Sequence, residues 1–408
     1  MLETIMKKKN LFIRIAIGFV LGIIIGIVLP EFSINTKVIG DVYLKLIKMM
    51  IVPIIFVAVA GGVVNIENTK DLRRIGFKTV ALYVGMFILS SIVSLIVAYA
   101  IRPGKNVVFT NPPVFEQEIT TPSISDFFVN IFPDNPLMAM AEGKILPVII
   151  FTILFSVAVI MSGEKGKPAI TFINTLSVIF FKLLDMVMET SPIGVMSLMA
   201  FSIAKYGLGI FSALGKYIIT CYIACVLTYI IAMCLPLFLY TKMGIVKLTK
   251  SMYKVWLVTL STTSSAATLP TSINVSLEDY KAPESITKFT LPLGCTINMC
   301  GGACSFSCLA VFVSDFYGIN LSLGQIVTLI FVATLINMAA PGIPGGGIIL
   351  GASFLSILGL PFDLMGPIAA FYRLLDMAFT SLNVTGDLVA NLMIAKSEKL
   401  WDVSMLNN

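Results

Sequence analysis

Residues 260–270 read Leu-Ser-Thr-Thr-Ser-Ser-Ala-Ala-Thr-Leu-Pro, and residues 337–347 read Asn-Met-Ala-Ala-Pro-Gly-Ile-Pro-Gly-Gly-Gly. Both patches interrupt strongly apolar sequence, and the apolar stretches flanking each are too short to cross a bilayer fully. Hydrocarbon does not tolerate unpaired backbone, so non-helical chain at membrane depth must line a cavity or lie buried in protein. Two such interruptions in corresponding positions point to a transporter binding site. The pattern predicts two re-entrant helical hairpins, at about 250–282 and 322–358, each followed by a full helix, at about 286–317 and 363–394. Hairpin–helix repeated twice makes an inverted repeat. Ordinary interhelical loops at the same places would instead give about ten plain spans.

Composition sets the environment. Of 408 residues, 57% are hydrophobic and 12% charged, with mean hydropathy +0.97. A soluble domain carries about 25% charged residues and needs them to cover its surface. A soluble enzyme, a nucleic-acid binder and a disordered chain are therefore excluded. Long apolar runs rather than short alternating segments exclude a β-barrel, so the fold class is an all-α membrane protein. Six spans precede the interrupted region, at about 11–30, 40–65, 76–101, 137–162, 169–203 and 212–240. The polar stretch from Arg102 to about Pro136 is the longest extramembrane segment. No small-residue cleavage site follows the first apolar run. Basic residues gather on alternate loops: Lys7 to Lys9, then Lys70, Arg73, Arg74 and Lys78, then Lys165 and Lys167, then Lys242, Lys247, Lys250 and Lys254. The positive-inside rule makes these loops, and with them both termini, cytoplasmic in a multi-pass cell-membrane protein.

Histidine is absent, which removes His bases, His metal ligands and His proton relays. Any proton coupling must run through Asp or Glu. Cys300, Cys304 and Cys308 are spaced by four and share a helical face, which reads as small-residue packing rather than a soft-metal site. The last helix keeps Arg373, Asp376, Thr380, Asn383, Thr385 and Asp387. A charge at the bilayer centre costs at least ~2.5–3.5 kcal/mol, which marks these groups as functional candidates. Asp376, Thr380, Asn383 and Asp387 form one polar stripe whose hard oxygens suit Na⁺ and an ammonium group. Arg373 and Asp376, three apart, could instead neutralise each other.

Several motifs in order resemble one family. Asn298-Met299-Cys300-Gly301-Gly302 matches in part, and Asn383-Val384-Thr385-Gly386-Asp387 in full, the signatures of the dicarboxylate/amino-acid:cation symporters of the glutamate-transporter type. The serine-rich first hairpin, the second hairpin's Pro341-Gly342-Ile343-Pro344-Gly345 and Ser191-Pro192-Ile193-Gly194-Val195 also fit, so the resemblance covers nearly the whole chain. It implies eight transmembrane helices plus the two hairpins, a homotrimer in membrane lipid and an elevator mechanism. Residues 1–75 would be scaffold spans one and two, 76–103 span three of a transport domain, and 104–203 an extracellular loop with scaffold spans four and five. Residues 204–408 would form the transport-domain core. The resemblance further implies that Asp376 takes a substrate amine, with Thr380 and the carbonyls of Thr263 and Ile343 nearby. Asn383 and the Ser265 amide would hold its carboxylate, and Ser264, Gly302, Gly347 and Phe379 would complete the substrate site. One sodium site would use Asp387, Asn383 and the carbonyls of Gly294 and Asn298. A second would use the carbonyls of Asn337, Met338 and Ala340 with Thr296.

Three departures from the family pattern shape the expectation. Phe379 stands where acidic-substrate members carry arginine, Gly302 where a threonine helps hold the side-chain carboxylate, and Cys300 where an aspartate serves a third sodium site beside Ser90 and Ser91. A family carboxylate is replaced by Tyr372, and Arg373 is an unexpected basic neighbour. The expected activity is Na⁺-driven symport of a neutral amino acid with fewer than three Na⁺ per substrate, and neither catalysis nor a nucleic-acid partner is implied. The alternatives are an acidic amino acid or dicarboxylate with Arg373 as counter-ion, or proton-coupled uptake. Arg373 lies six residues before Phe379, about 120° away on an ideal helix.

Overall fold

The computed structural model describes residues 2–64, 70–105, 129, 132–207, 209–338 and 346–407. Among them every regular element is helical. The chain runs through α1 (Leu2–Val28), α2 (Pro30–Asn35), α3 (Lys37–Val64) and α4 (Lys70–Ile101). It continues with α5 (Pro136–Ala141), α6 (Ile145–Met161), α7 (Lys167–Glu189), α8 (Ser191–Tyr206), α9 (Gly209–Thr228) and α10 (Leu235–Thr241). Then come α11 (Ile245–Thr262), α12 (Ser265–Asn274), α13 (Glu284–Ile297), α14 (Cys300–Phe316), α15 (Leu323–Met338), α16 (Gly346–Ile357) and α17 (Met365–Ser397). Four helical stretches among the described residues are long and apolar enough to cross a membrane: 74–101, 163–189, 212–241 and 284–316. Shorter apolar helices cover 13–28, 52–61, 147–161, 191–205 and 323–338. The segment 33 residues long that forms α17 falls outside this set.

Proline and glycine break the expected spans at defined points. The span at 169–203 is two helices meeting at Thr190, because Pro192 lies in the first turn of α8, where its missing N–H is no loss. The span at 137–162 is split at Gly143, whose φ of +68° ends α5. Between α9 and α10 the helix widens to a π-type turn over Tyr229–Cys234 just before Pro236. Pro53 lies inside α3 without ending it.

The helices sort by packing. α1 packs on α8, and α3 packs on α6, α7 and α8. α4 packs on α9, α14, α15 and α17, while α11, α13 and α14 pack along α17. α11 and α12 turn back on each other at Thr263-Ser264, and α15 packs against α16. Thr263 adopts a left-handed conformation (φ +48°) that ends α11, and the Ser264 side chain caps α12 by accepting from the Ala267 N–H.

The chain end is fastened to this second group. Glu398 accepts from Arg74 at 2.6 Å and Lys78 at 2.7 Å, and its side chain is 8% exposed. Trp401 is buried and its indole N–H donates to the Tyr280 carbonyl at 2.7 Å, while the Tyr280 hydroxyl donates to Leu248 O. The two basic groups hold the Glu398 carboxyl below the usual 4.5. Folding thus favours its charged form, and the stabilisation is present above that value and lost as pH falls through the lower folded one. Glu398→Gln should cost about 1 kcal/mol at pH 7. The gap between variant and wild type in detergent melting curves should close as pH falls below about 4.

Candidate ion and substrate site

The site is built around a missing turn of helix. α13 ends at Ile297, Asn298 (ψ 102°) and Met299 (ψ 52°) leave the helical region, and α14 begins at Cys300. The helix expected to be continuous over 286–317 is therefore two helices. Their free ends expose carbonyls on one side and N–H groups on the other, and buried groups of this kind need partners. Side chains supply them. Asn298, fully buried, donates through Nδ2 to the Asn383 carbonyl at 2.9 Å and to Asp387 Oδ1 at 2.8 Å. Asn383 Oδ1 accepts from the Gly301 N–H at 2.7 Å, and its Nδ2 faces Met299 Sδ at 3.2 Å. The break in one helix and the polar stripe of α17 satisfy each other.

Glycines permit this closeness. A Cβ on Gly294 would overlap both the Tyr83 hydroxyl and Asp387 Oδ1, and one on Gly386 would come within 2.6 Å of Asn298 Nδ2. Asp387 is 3% exposed and lies where a cation would meet a carboxylate, an amide-supported backbone and the open carbonyls of α13. On the far side of the break, Ser90 donates to the Cys300 carbonyl at 2.7 Å and the Cys300 thiol lies 2.9 Å from Asn298 Oδ1. Ser91 Oγ is buried with no hydrogen-bond partner. The position expected to differ at a third ion site thus holds a thiol turned toward an amide. Among the described residues no group of three or more His, Cys, Asp or Glu side chains is arranged for a metal ion.

The expected substrate groups converge in part. Asp376, Thr380, Asn383 and Asp387 are all buried along α17, as the stripe predicts. Thr263, Ser264 and Ser265 form the α11–α12 turn, and Ser265 Oγ is buried without a partner. Arg373 reaches this turn: its Nη2 lies 3.4 Å from Ser261 O and 3.5 Å from Thr262 O, and its Nε is buried and unpartnered. Phe379 is 2% exposed and its ring packs beside Tyr372, centroids 6.5 Å apart. The Tyr372 hydroxyl fills the space beside Gly347.

The Asn383 amide has its Oδ1 engaged by the Gly301 N–H and one Nδ2 hydrogen turned to Met299 Sδ at the helix break. The Asn337 amide occupies the space beside Gly302. Thr296 is exposed with its hydroxyl donating to Leu293 O. Ala340 and Ile343 lie outside the described residues.

The sequence reading missed Tyr83, which α4 brings to Asp387 across Gly294. It also missed Asn391, fully buried one turn beyond Asp387, whose amide accepts from Thr290 and donates to Ser276 and Thr287. The spacing of the stripe, extended by four, pointed to Asn391. Nothing in the local sequence pointed to Tyr83, which arrives from a different helix.

The pattern of the Sodium:dicarboxylate symporter family matches residues 11–397. The chain belongs to that family. It is 31% identical over 406 residues to a C4-dicarboxylate transport protein of Rhizobium etli, covering 98% of this chain and 91% of that one. It is 30% identical over 407 residues to a proton/sodium-glutamate symport protein of Bacillus caldotenax, covering 96% of each. A proton/sodium-glutamate symport protein of Bacillus subtilis is likewise 30% identical over 415 residues, covering 97% of this chain and 94% of that one. Membership makes this symporter a multi-pass membrane protein that moves a small molecule with an ion.

The glycine contacts give a direct check. Gly294→Ala should lose about 1–3 kcal/mol, the range for overpacking, and should raise the Na⁺ concentration needed to stabilise the protein against heat. Gly85→Ala in α4, where a Cβ meets nothing within 4 Å, should be neutral or stabilising in the same thermal-shift assay.

Proposed function

We propose that the chain is a sodium-coupled symporter of an acidic amino acid. The observation that carries this reading is Arg373, a guanidinium set against the carbonyls of the α11–α12 turn with its Nε unpartnered, one turn from the buried Asp376. A buried donor without a partner is a standing free-energy cost, and a carboxylate arriving there would remove it. The names of the relatives, for a C4-dicarboxylate and for glutamate, support a substrate with two carboxyl groups. Asp376 favours the amino acid of the two, since a plain dicarboxylate would bring like charge against it while an ammonium would pair with it. The neutral-substrate expectation rested on Phe379 and Gly302. The ring of Phe379 packs beside Tyr372, and Gly302 is backed by an amide, so neither offers the apolar pocket that expectation needed.

In this reading the first turn of α12 faces the α-carboxylate with the Ser265 N–H and hydroxyl, aided by the helix dipole. Asp376 and Thr380 take the amine, and Arg373 takes the side-chain carboxylate. Asp387, with the carbonyls of Gly294, Asn298 and Asn383, holds one Na⁺ at the helix break. Cys300 supplies no anionic oxygen, which supports fewer than three Na⁺ per substrate. The α11–α12 and α15–α16 pairs are the re-entrant hairpins, and the second acts as the gate. The packing of α4, α9 and α11 to α17 on one another supports a transport unit that moves as an elevator against α1, α3 and α6 to α8. Wide apolar exposure on the latter, with Met161 at 82% and Val178 at 70%, supports their facing lipid or other copies in a homotrimer.

Uptake into proteoliposomes tests the reading. Aspartate or glutamate should compete at least tenfold better than serine, alanine or succinate, a gap of about 1.4 kcal/mol. Arg373→Ala should erase that preference, and Asp376→Asn should abolish amino-acid binding. Asp387→Asn should flatten the Na⁺ titration in a folded protein. Best uptake of serine or alanine, unaffected by Arg373→Ala, would return the neutral reading, and best uptake of succinate the dicarboxylate one. A current-to-flux ratio of three Na⁺ per substrate would refute the ion count.

A further inference from the structure

Tyr83 is fully buried on α4, on the same helical face as the buried Met86 and Phe87. A phenol hydroxyl in apolar surroundings needs a partner. Its partner among the described residues is distant. Tyr83 Oη donates to Thr290 O of α13 at 3.4 Å, against about 2.7–2.8 Å for an ordinary O–H···O bond. That bond takes the single hydrogen and leaves the lone pairs of the oxygen unused. Gly294 marks the space beside them. A Cβ there would overlap both the Tyr83 hydroxyl and Asp387 Oδ1 and would stand 2.7 Å from Asp387 Cγ, so the two oxygens border one small volume that a glycine leaves open. No hydrogen bond joins them, and Asp387 Oδ1 accepts from Asn298 Nδ2 at 2.8 Å. Two oxygens turned to each other with no hydrogen between them repel, and a cation touching both reverses the sign of the interaction.

We infer that Tyr83 is a ligand of the cation bound at Asp387, contributing a phenol oxygen from α4 to a set otherwise supplied by α13 and α17. The inference rests on the reading of Asp387 as a sodium ligand. A neutral oxygen suits the role. Na⁺ is a hard monovalent ion, and a second anion in the set would favour a divalent one. Tyrosine adds an oxygen without adding charge. There is also a consequence for the fold. α4 has no open backbone at the helix break, and its Ser90 bond goes to the far side, at Cys300. Through Tyr83 the ion reaches a third helix, so cation binding draws α4, α13 and α17 onto one another.

The test removes one oxygen and keeps the ring. Tyr83→Phe, Tyr83→Leu, Asp387→Asn and, as a control, Tyr43→Phe are made in the full-length protein. Tyr43 carries a buried hydroxyl that bonds Ser191 at the α3–α8 contact. Na⁺ is titrated by thermal shift, with choline holding the ionic strength constant, and the melting point in choline alone reports the ion-free fold. Tyr83→Phe should melt as wild type does in choline. It should need about tenfold more Na⁺ for the half-maximal shift, the worth of one contact to a charged group. Tyr83→Leu should need at least as much, and Tyr43→Phe should keep the wild-type midpoint. An unchanged midpoint in folded Tyr83→Phe overturns the inference. So does a lower one, which would make the hydroxyl a donor to the empty carboxylate that competes with the ion. A rise that Tyr43→Phe shows equally overturns it too, as the general effect of losing a buried hydroxyl. If Tyr83→Phe does not fold, Tyr83→Leu decides on the same readout. Asp387→Asn separates the two ideas. A flat titration there, with an unchanged one in Tyr83→Phe, leaves the ion site standing without Tyr83. An unchanged titration in Asp387→Asn removes the site and the inference together.

Discussion

A carboxylate and a broken helix share one buried space, and the rest of the molecule is arranged around keeping both satisfied. Asp387 in hydrocarbon without partners would be prohibitive, as would the open backbone of Asn298 and Met299. Each solves part of the other's problem. The Asn298 amide bridges Asp387 and the Asn383 carbonyl, and the Asn383 amide caps the helix that restarts at Cys300. In the proposed site a cation would complete the set, giving the carboxylate a charge partner and the carbonyls of α13 a Lewis acid.

That dependence explains where small residues and buried hydroxyls occur. Gly294 and Gly386 allow side chains of α4, α13 and α17 to approach within contact distance. Beneath them, Thr290, Asn391, Ser276 and Thr287 form a closed hydrogen-bonded set that joins the return of the α11–α12 pair to α13 and α17. Trp256 to Thr385 and Thr259 to Ser381 join the outgoing arm to α17 in the same way. The α11–α12 pair is thus anchored by side-chain bonds along both arms. Among the described residues α15 shows a different character, packed chiefly through apolar Leu329, Val332 and Ile336.

The membrane class, the interrupted segments and the stripe on α17 were legible in the sequence because each is a departure from local expectation: polar patches within apolar runs, or charges at a spacing of three and four. The break at Asn298 was not legible, since Asn-Met-Cys-Gly-Gly has no strong helix breaker before its glycines and the segment reads as one full helix. Tyr83 could not be found locally, because it comes to Asp387 beside a residue on another helix, Gly294, whose importance is the absence of a side chain. Arg373 shows the same limit from the opposite side. Ideal-helix geometry turned it away from position 379, yet its long side chain reaches the α11–α12 turn by its own path.

The chain has only two tryptophans, and both are hydrogen-bonded at the α11–α12 pair. Trp256 donates to Thr385 from the middle of α11, and Trp401 donates to the carbonyl of Tyr280 where the return arm ends. Indole emission shifts with the polarity and bonding of its N–H, so the protein carries its own optical gauge at the two ends of one structural unit. Motion confined to the α15–α16 pair would leave both indoles undisturbed, whereas any loosening of α11–α12 would register in their emission without a label.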